Sequence, residues 1–460
     1  MEDLKNITVF GRISAKANDV LTPELSAKIG ATHGTYLGNK GTLVVARDYF
    51  NNSRMLKRSY IAGCMSAGID ILNLHSAPLP LLQFCIRRFG TVGGTYFSSG
   101  PTHEDDTQIR FYDSSGIEFT PQNIESLNEI LKNNQIKRSN PYNIGSITSI
   151  LQTFDIYKKA IPTQIDQKSI KENNLRVIID CSFGPLGEIA PEVFNDLNID
   201  VIGLNTYYRP ISKKIYSELN SVRDSAAIIK ASEANVGFIF DNDGSRVLVL
   251  DETGNIIDFE DIFMLYLSYD KAIQKSKSNP IFTTNSCSKI LDEFANNLGY
   301  NLIRVENMPG VISRKIKMER GAFGATDTNK FYFAQYGPFS DGLLNALKIL
   351  EILSEKNEPL SSLIRNFPKT LKVSKTLSVS PNILNKYEKI IREKFKNRNV
   401  FIMDIILGIK IIYDKNTWVQ IRPSLHRDAL IFTSESLDTK TSEDLIKEIE
   451  KILLEEDEKL

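Results

Sequence analysis

One pattern occurs three times along this chain, and it constrains the fold more than any other feature. A short β-rich run leads through a helix-like segment into a second β-rich run: TLVVARD (42–48) to IDILNL (69–74), RVIIDCS (176–182) to IDVIGL (199–204), and PIFTTNS (280–286) to YNLIRV (300–305). Strands alternating with helices at this spacing predict βαβ units and a mostly parallel sheet. Each unit then meets a third run, GGTYFSS (93–99), VGFIFDND (236–243) and RGAFGATD (320–327). Three similar α/β domains follow, alike in pattern rather than in identity.

The 460 residues suit about three domains at roughly 150 residues each. The stretch 371–460 differs from the rest. It runs from a helix-like segment (381–395) through GIKIIYD and TWVQIRPS to a charged amphipathic helix after Thr441, with Leu445, Ile449, Ile452 and Leu453 on one face. A fourth, smaller α+β domain is predicted there, giving domains at 1–140, 141–252, 253–370 and 371–460, with linkers near 134–143, 251–255 and 368–372. Residues 400–412 are the most apolar stretch, but Asp404 and Lys410 interrupt it and it reads as strand and turn.

The 56 basic and 56 acidic side chains balance. This gives no electrostatic footprint for nucleic acid or an anionic membrane, so a small molecule or a protein is the expected partner. Cys64, Cys85, Cys181 and Cys287 lie far apart without CxxC or ligand-spaced His, and read as buried small hydrophobes in a reducing compartment. MEDLKNITVFGR has no signal-peptide pattern and no stretch of about 18 uncharged apolar residues follows, so a cytoplasmic location is expected.

In open α/β sheets ligands sit beyond the carboxyl ends of strands, which selects the loops 98–103, 241–246 and 324–330. In the second, Asp241 and Asp243 flank Asn242 and precede Gly244, a spacing that converges carboxylates on one hard cation and equally makes a generic turn. Ser245 supplies only a neutral oxygen. The first loop offers Ser98 and Ser99 as nucleophile or phosphate donors, with His103 as an acid or base, or else a solvated turn. In IRPSLHRD (421–428), Arg422, Ser424, His426 and Arg427 supply donors for a phosphate dianion.

LTPELSAKIG (21–30), ARDYFNNSRMLKRSYIAGCMSAGIDILNL (46–74), the Pro78/Pro80 pair, IDCSFGPLGEIAPEVF (179–194), DGLLNALKILEIL (341–353) and TWVQIRPS (417–424) stand in an order that resembles the α-D-phosphohexomutase family. That family comprises the phosphomannomutases, phosphoglucomutases and phosphoglucosamine mutases, isomerases of carbohydrate metabolism. The resemblance covers essentially the whole chain. It implies three α/β/α domains with mixed, mostly parallel sheets and a C-terminal phosphate-binding domain around one central cleft. A phosphoserine there exchanges phosphoryl groups with a hexose phosphate, and a Mg²⁺ held by three Asp neutralises developing charge.

This chain departs from the family at the loops themselves. Where the family reads TASHNP, ungapped alignment gives Ser98, Ser99, Gly100, Pro101, Thr102, His103, so Gly100 takes the nucleophile position and Ser99 or Ser98 serves only if the loop shifts. The family's acid/base lysine becomes Arg110, whose proton is held too tightly for transfer near neutrality. In the metal loop, Asp241, Asp243 and Ser245 keep two of three carboxylates before Arg246, so Mg²⁺ is expected to be weak or lost. The sugar loop GEQSGH becomes 325–330, with Thr326, Thr328 and Lys330 as substrate-binding candidates; the GIRG segment becomes 14–17, keeping the cation Lys16. The phosphate loop keeps Arg422, Pro423 and Ser424 and then loses its Gly-Thr turn, leaving Arg427 opposed by Asp428.

Four altered loops beside retained framework segments predict a catalytically impaired mutase homologue, since nucleophile, proton shuttle and metal charge cooperate. Its expected roles are sugar-phosphate binding or partnership with an active mutase paralogue or a second copy of itself. The alternative is an active diverged phosphohexomutase using Ser99 or Ser98 as phosphoserine, with Mg²⁺ at Asp241, Asp243 and Ser245. A new non-mutase reaction has least support, because no replacement constellation is visible.

Overall fold

In the computed structural model, residues 4–9, 11–99, 106–150, 152–207, 219–369, 371–405, 408–423 and 429–457 are described. Twenty strands form four sheets. The first holds β1 (Thr8–Val9), β2 (Arg12–Lys16), β3 (Thr42–Arg47), β4 (Asp70–Ser76), β5 (Gly93–Ser99), β6 (Asp106–Asp113) and β7 (Ile147–Thr148), in the order β1-β2-β6-β5-β3-β4-β7. The second holds β8 (Arg176–Asp180), β9 (Asp200–Leu204), β10 (Val236–Phe240) and β11 (Val247–Leu250), ordered β11-β10-β8-β9. The third holds β12 (Ile281–Thr284), β13 (Leu302–Val305), β14 (Phe323–Thr326) and β15 (Lys330–Phe333), ordered β13-β12-β14-β15.

The predicted recurrence is thus a recurrence of topology. In each sheet the first strand of the unit pairs in parallel with the second and the third, and the third turns back into an antiparallel neighbour. The connections from β5 to β6, β10 to β11 and β14 to β15 therefore all leave the carboxyl ends of parallel strands, the end at which open sheets bind ligands. The 400–412 stretch forms a hairpin, β17 (Phe401–Ile405) against β18 (Gly408–Ile412). With β16 (Leu371–Ser378), β19 (Trp418–Pro423) and β20 (Ala429–Ser436) it builds an all-antiparallel sheet, ordered β16-β20-β19-β18-β17. Helices Pro381–Phe395 and Thr439–Asp457 cover this sheet, their apolar faces closing a core of Ile383, Ile391, Ile409, Ile421, Ile449 and Leu453.

Domains I to III each keep an apolar cluster of their own, around Leu56 and Phe111, around Ile178 and Ile229, and around Phe282 and Ile312, and they also share a larger one. One continuous apolar cluster takes Val44 and Leu82 from the first, Val177 and Phe238 from the second, and Phe263, Phe323 and Leu343 from the third. The C-terminal sheet keeps its own cluster and meets the third domain through polar contacts: Lys372 pairs with Glu260 and Lys415 with Glu293, Ser288 donates to Glu435, and Lys410 donates to the Asn285 carbonyl at 3.1 Å. All four cysteines are buried free thiols. No helix among the described residues is long and apolar enough to cross a membrane.

Inside the first domain, helix α1 (Pro23–Tyr36) starts at Thr22, whose hydroxyl accepts the Leu25 N–H, with Pro23 filling a first-turn position that needs no donor. It buries His33 completely against the Phe111 and Phe119 rings, with Nδ1 2.6 Å from Tyr60 Oη. Burial pulls the imidazole down from its ordinary 6.5 to about 3. The folded state therefore holds His33 neutral, while the unfolded chain takes up a proton as the pH falls below about 6.5. Stability conferred by this site is complete above that pH and is lost as the pH drops toward 3, with a limiting slope of about 1.4 kcal/mol per pH unit. His33→Gln is expected to flatten the acid limb of a urea-midpoint against pH profile; an unchanged limb would show that other groups set it.

Candidate functional site

The acidic loop 241–246 sits where three domains meet, and its backbone explains why. Helix α2, Leu79–Arg88 in the first domain, begins after Pro78 and carries Pro80 at its second position, so two of the residues at its start have no N–H to satisfy. The Leu79 N–H between them donates to the Asp243 carbonyl at 2.8 Å. From the other side, the third domain's Gly342 N–H donates to the Gly244 carbonyl at 3.0 Å and Ser340 Oγ to the Ser245 carbonyl at 2.8 Å. Gly244 has φ +76°, and a Cβ there would lie 3.1 Å from Pro78 Cβ. A Cβ on Gly342 would come within 2.7 Å of the Arg246 carbonyl.

This clamp aims the side chains of the loop at β6. Arg110 Nη2 lies 2.7 Å from Asp243 Oδ2 and donates at 3.4 Å to Ser98 Oγ. Its guanidinium stands 5.0 Å from the Tyr96 ring centre. The pair is largely shut from solvent, Arg110 at 4% and Asp243 at 15% side-chain exposure. Asp243 Oδ1 accepts the Ser245 N–H and Asp241 Oδ1 the Arg246 N–H, both at 3.0 Å, while Arg246 Nε stands 3.7 Å from Asp241 Oδ2. Burial pushes both carboxyls up, but at Asp243 the Arg110 and Lys330 charges outweigh it and hold the group well below the usual carboxylate range. At Asp241 burial, and then the Asp243 charge, prevail and push the carboxyl up to about 7.

Lys330 opens β15 directly across the hairpin from Thr326 and feels Arg246, Asp243, Arg12 and Glu118. Burial, and then Arg246, pull its ammonium down to about 8. Thr326 and Thr328 share a hydrogen bond at 2.8 Å. Two members of this cluster carry no sequence signature of their own: Arg12, whose Nη2 donates to Glu118 Oε2 at 2.8 Å, and Glu118 itself. They stand 106 residues apart, and only the pairing of β2 with β6 brings their segments together.

The sequence-predicted residues divide into three groups. Ser98, Arg110, Asp241, Asp243, Ser245, Arg246 and Lys330 share one network. Ser98 and Ser99 belong to β5 rather than to a free loop, paired with Gln108 and Thr107, and Ser98 is buried. Ser99 turns its backbone N–H to Asp48 Oδ2 at 2.6 Å, a buried carboxyl that burial pushes up to about 6 against that hydrogen bond. Asp48 was legible only as part of the framework segment ARDYF.

Lys16 ends β2 with its ammonium 3.6 Å from Asp19 and largely exposed, and Arg422 is exposed on β19 in the C-terminal domain. Neither has a described contact with the network. Gly100, His103, Ser424, His426, Arg427 and Asp428 lie outside the described residues.

Comparison with known proteins agrees with this layout. Residues 11–138, 155–254 and 260–371 match in turn the families described as "Phosphoglucomutase/phosphomannomutase, alpha/beta/alpha domain I", "domain II" and "domain III". The "Phosphoglucosamine mutase" of Dictyoglomus thermophilum is 30% identical over 364 residues, covering 76% of this chain and 78% of that protein. The "Probable phosphoglucosamine mutase" of Pyrococcus furiosus is 25% identical over 447 residues, 96% of each chain. In fold, the crystal structure of a phosphoglucomutase/phosphomannomutase family protein from Burkholderia thailandensis is similar with a TM-score of 0.83 at 18% identity over 98% of both chains. Three domain matches in chain order, the shared sheet topology and the identity to a mutase across most of its length lead to one assignment: the chain belongs to the phosphoglucomutase/phosphomannomutase family, the α-D-phosphohexomutases.

Proposed function

We propose that this protein binds a hexosamine phosphate in the cleft without efficient phosphoryl transfer. The observation that carries the reading is the hydrogen bond from Arg110 to Ser98 and Asp243 together. A nucleophilic serine needs a neighbour that removes its proton. Ser98 Oγ instead accepts from a guanidinium that stays charged and cannot act as a base near neutrality. Ser99 commits its N–H to Asp48 and lies one position short of the family's nucleophile, which aligns with Gly100.

Binding capacity remains where the chemistry is weakened. The network holds four cations, Arg12, Arg110, Arg246 and Lys330, against Glu118, Asp243 and an Asp241 pushed up to about 7. Its excess positive charge suits a phosphate dianion, and Arg246 is one third exposed, with its buried Nε free of hydrogen-bond partners among the described residues. Thr326 and Thr328 place hydroxyls beside it for a sugar. The hexosamine comes from the relatives, several of which are named phosphoglucosamine mutases.

Titration calorimetry with glucosamine 6-phosphate and glucosamine 1-phosphate is expected to show one site per chain, weakened at least tenfold, about 1.4 kcal/mol, by Lys330→Met. In a coupled mutase assay with Mg²⁺ and the matching 1,6-bisphosphate, turnover is expected to match that of a Ser98→Ala/Ser99→Ala variant. Turnover that the double variant abolishes would overturn the proposal and identify a shifted serine nucleophile.

A further inference from the structure

We infer that the Arg110 guanidinium takes the place of a divalent cation at the acidic loop, as a fixed charge between the β5 serine and Asp243. The donor set does not fit the Mg²⁺ that the family resemblance implies. Such an ion takes six oxygen ligands at about 2.0–2.1 Å in near-octahedral order. The loop offers Asp241, Asp243 and the neutral Ser245, and three of the four carboxylate oxygens already accept hydrogen bonds, from Arg110, the Ser245 N–H and the Arg246 N–H. No group of three His, Cys, Asp or Glu among the described residues is close enough to hold a metal ion.

Arg110 meets the requirements of a substitute. Its Nη2 contacts both Ser98 Oγ and Asp243 Oδ2, so one positive group links the strand end to the acidic loop. It is buried, packed beside the Tyr96 ring and carried on β6, whose pairing with β5 runs from Gly93 to Ser99. A second cation at Asp243 would stand beside the buried guanidinium and share its one counter-charge, so the two positive groups compete for the same carboxylate. The two sequence changes fit one another: the loop loses a carboxylate at Ser245, and the arginine fixes a charge that a lysine could give up with its proton. The inference holds whether or not a sugar phosphate binds, because it concerns the charge at the loop.

The test uses Mn²⁺ as probe on the full chain, reading free Mn²⁺ by electron paramagnetic resonance and melting temperature in parallel. The native protein and Ser245→Asp, which restores the third carboxylate but keeps Arg110, are both expected to leave millimolar Mn²⁺ free. Ser245→Asp combined with Arg110→Gln is expected to take up one Mn²⁺ per chain and to melt higher with Mn²⁺ than without it. Stoichiometric uptake by the native protein, lost in Asp243→Asn, would overturn the inference. So would uptake by Ser245→Asp alone, or a folded double variant that takes up none. Should the double variant fail to fold, Ser245→Asp decides: uptake overturns the inference, and silence supports it.

Discussion

Everything at the centre of this protein depends on the backbone of the loop 241–246 being held from two sides. Leu79 in the first domain and Ser340 and Gly342 in the third donate to three consecutive carbonyls, those of Asp243, Gly244 and Ser245. These are buried peptide groups, and each would be costly to leave unmade. The clamp explains residues that side-chain chemistry alone leaves unexplained. Pro78 and Pro80 clear the start of α2 of competing donors, Gly244 supplies the left-handed turn, and Gly342 lets the third domain approach the loop. With one apolar cluster running through domains I to III, the loop's carboxylates are positioned by a rigid body rather than by a loop.

Into that rigid frame the chain places an unusual balance of charge. Arg12 pairs with Glu118 and Arg110 with Asp243, two nearly buried ion pairs. Buried pairs of this kind add little net stability but are damaging to break, so they hold geometry more than they hold the fold. A proton-transferring group or an exchangeable metal ion needs freedom to change its charge or its ligands, and a bridging guanidinium has neither. The C-terminal domain is built differently. Its core is separate, and among the described residues it meets the third domain through ion pairs and single hydrogen bonds, weaker than the apolar seam of the other three.

Much of this was legible in the sequence. The alternation of strand and helix along the chain is local information, recorded in short apolar runs and their spacing, and it determined the three α/β units and a smaller α+β fourth domain, whose antiparallel pairing the structure supplied. The candidate ligand loops followed from topology, and the family from collinear segments. The sequence also named Arg110 and Lys330, because each falls at a motif position with a changed residue, and Asp243, because it keeps a carboxylate of the acidic loop. It did not reveal Glu118 and Arg12, which lie 106 residues apart and meet only through strand pairing, nor Asp48, which reads as framework until the Ser99 N–H is seen on it.

What the tertiary structure alone decided is how the departures compensate one another. In the sequence a missing carboxylate at Ser245 and an arginine at Arg110 are two separate losses, one of metal affinity and one of proton transfer. Their side chains belong to a hairpin of the second domain and a strand of the first, and distance along the chain carries no information about the 2.7 Å between Arg110 and Asp243. Local sequence determines which elements form and where their ends lie. Charge pairing depends on which ends the packing of three domains brings face to face, and that is a property of the folded molecule.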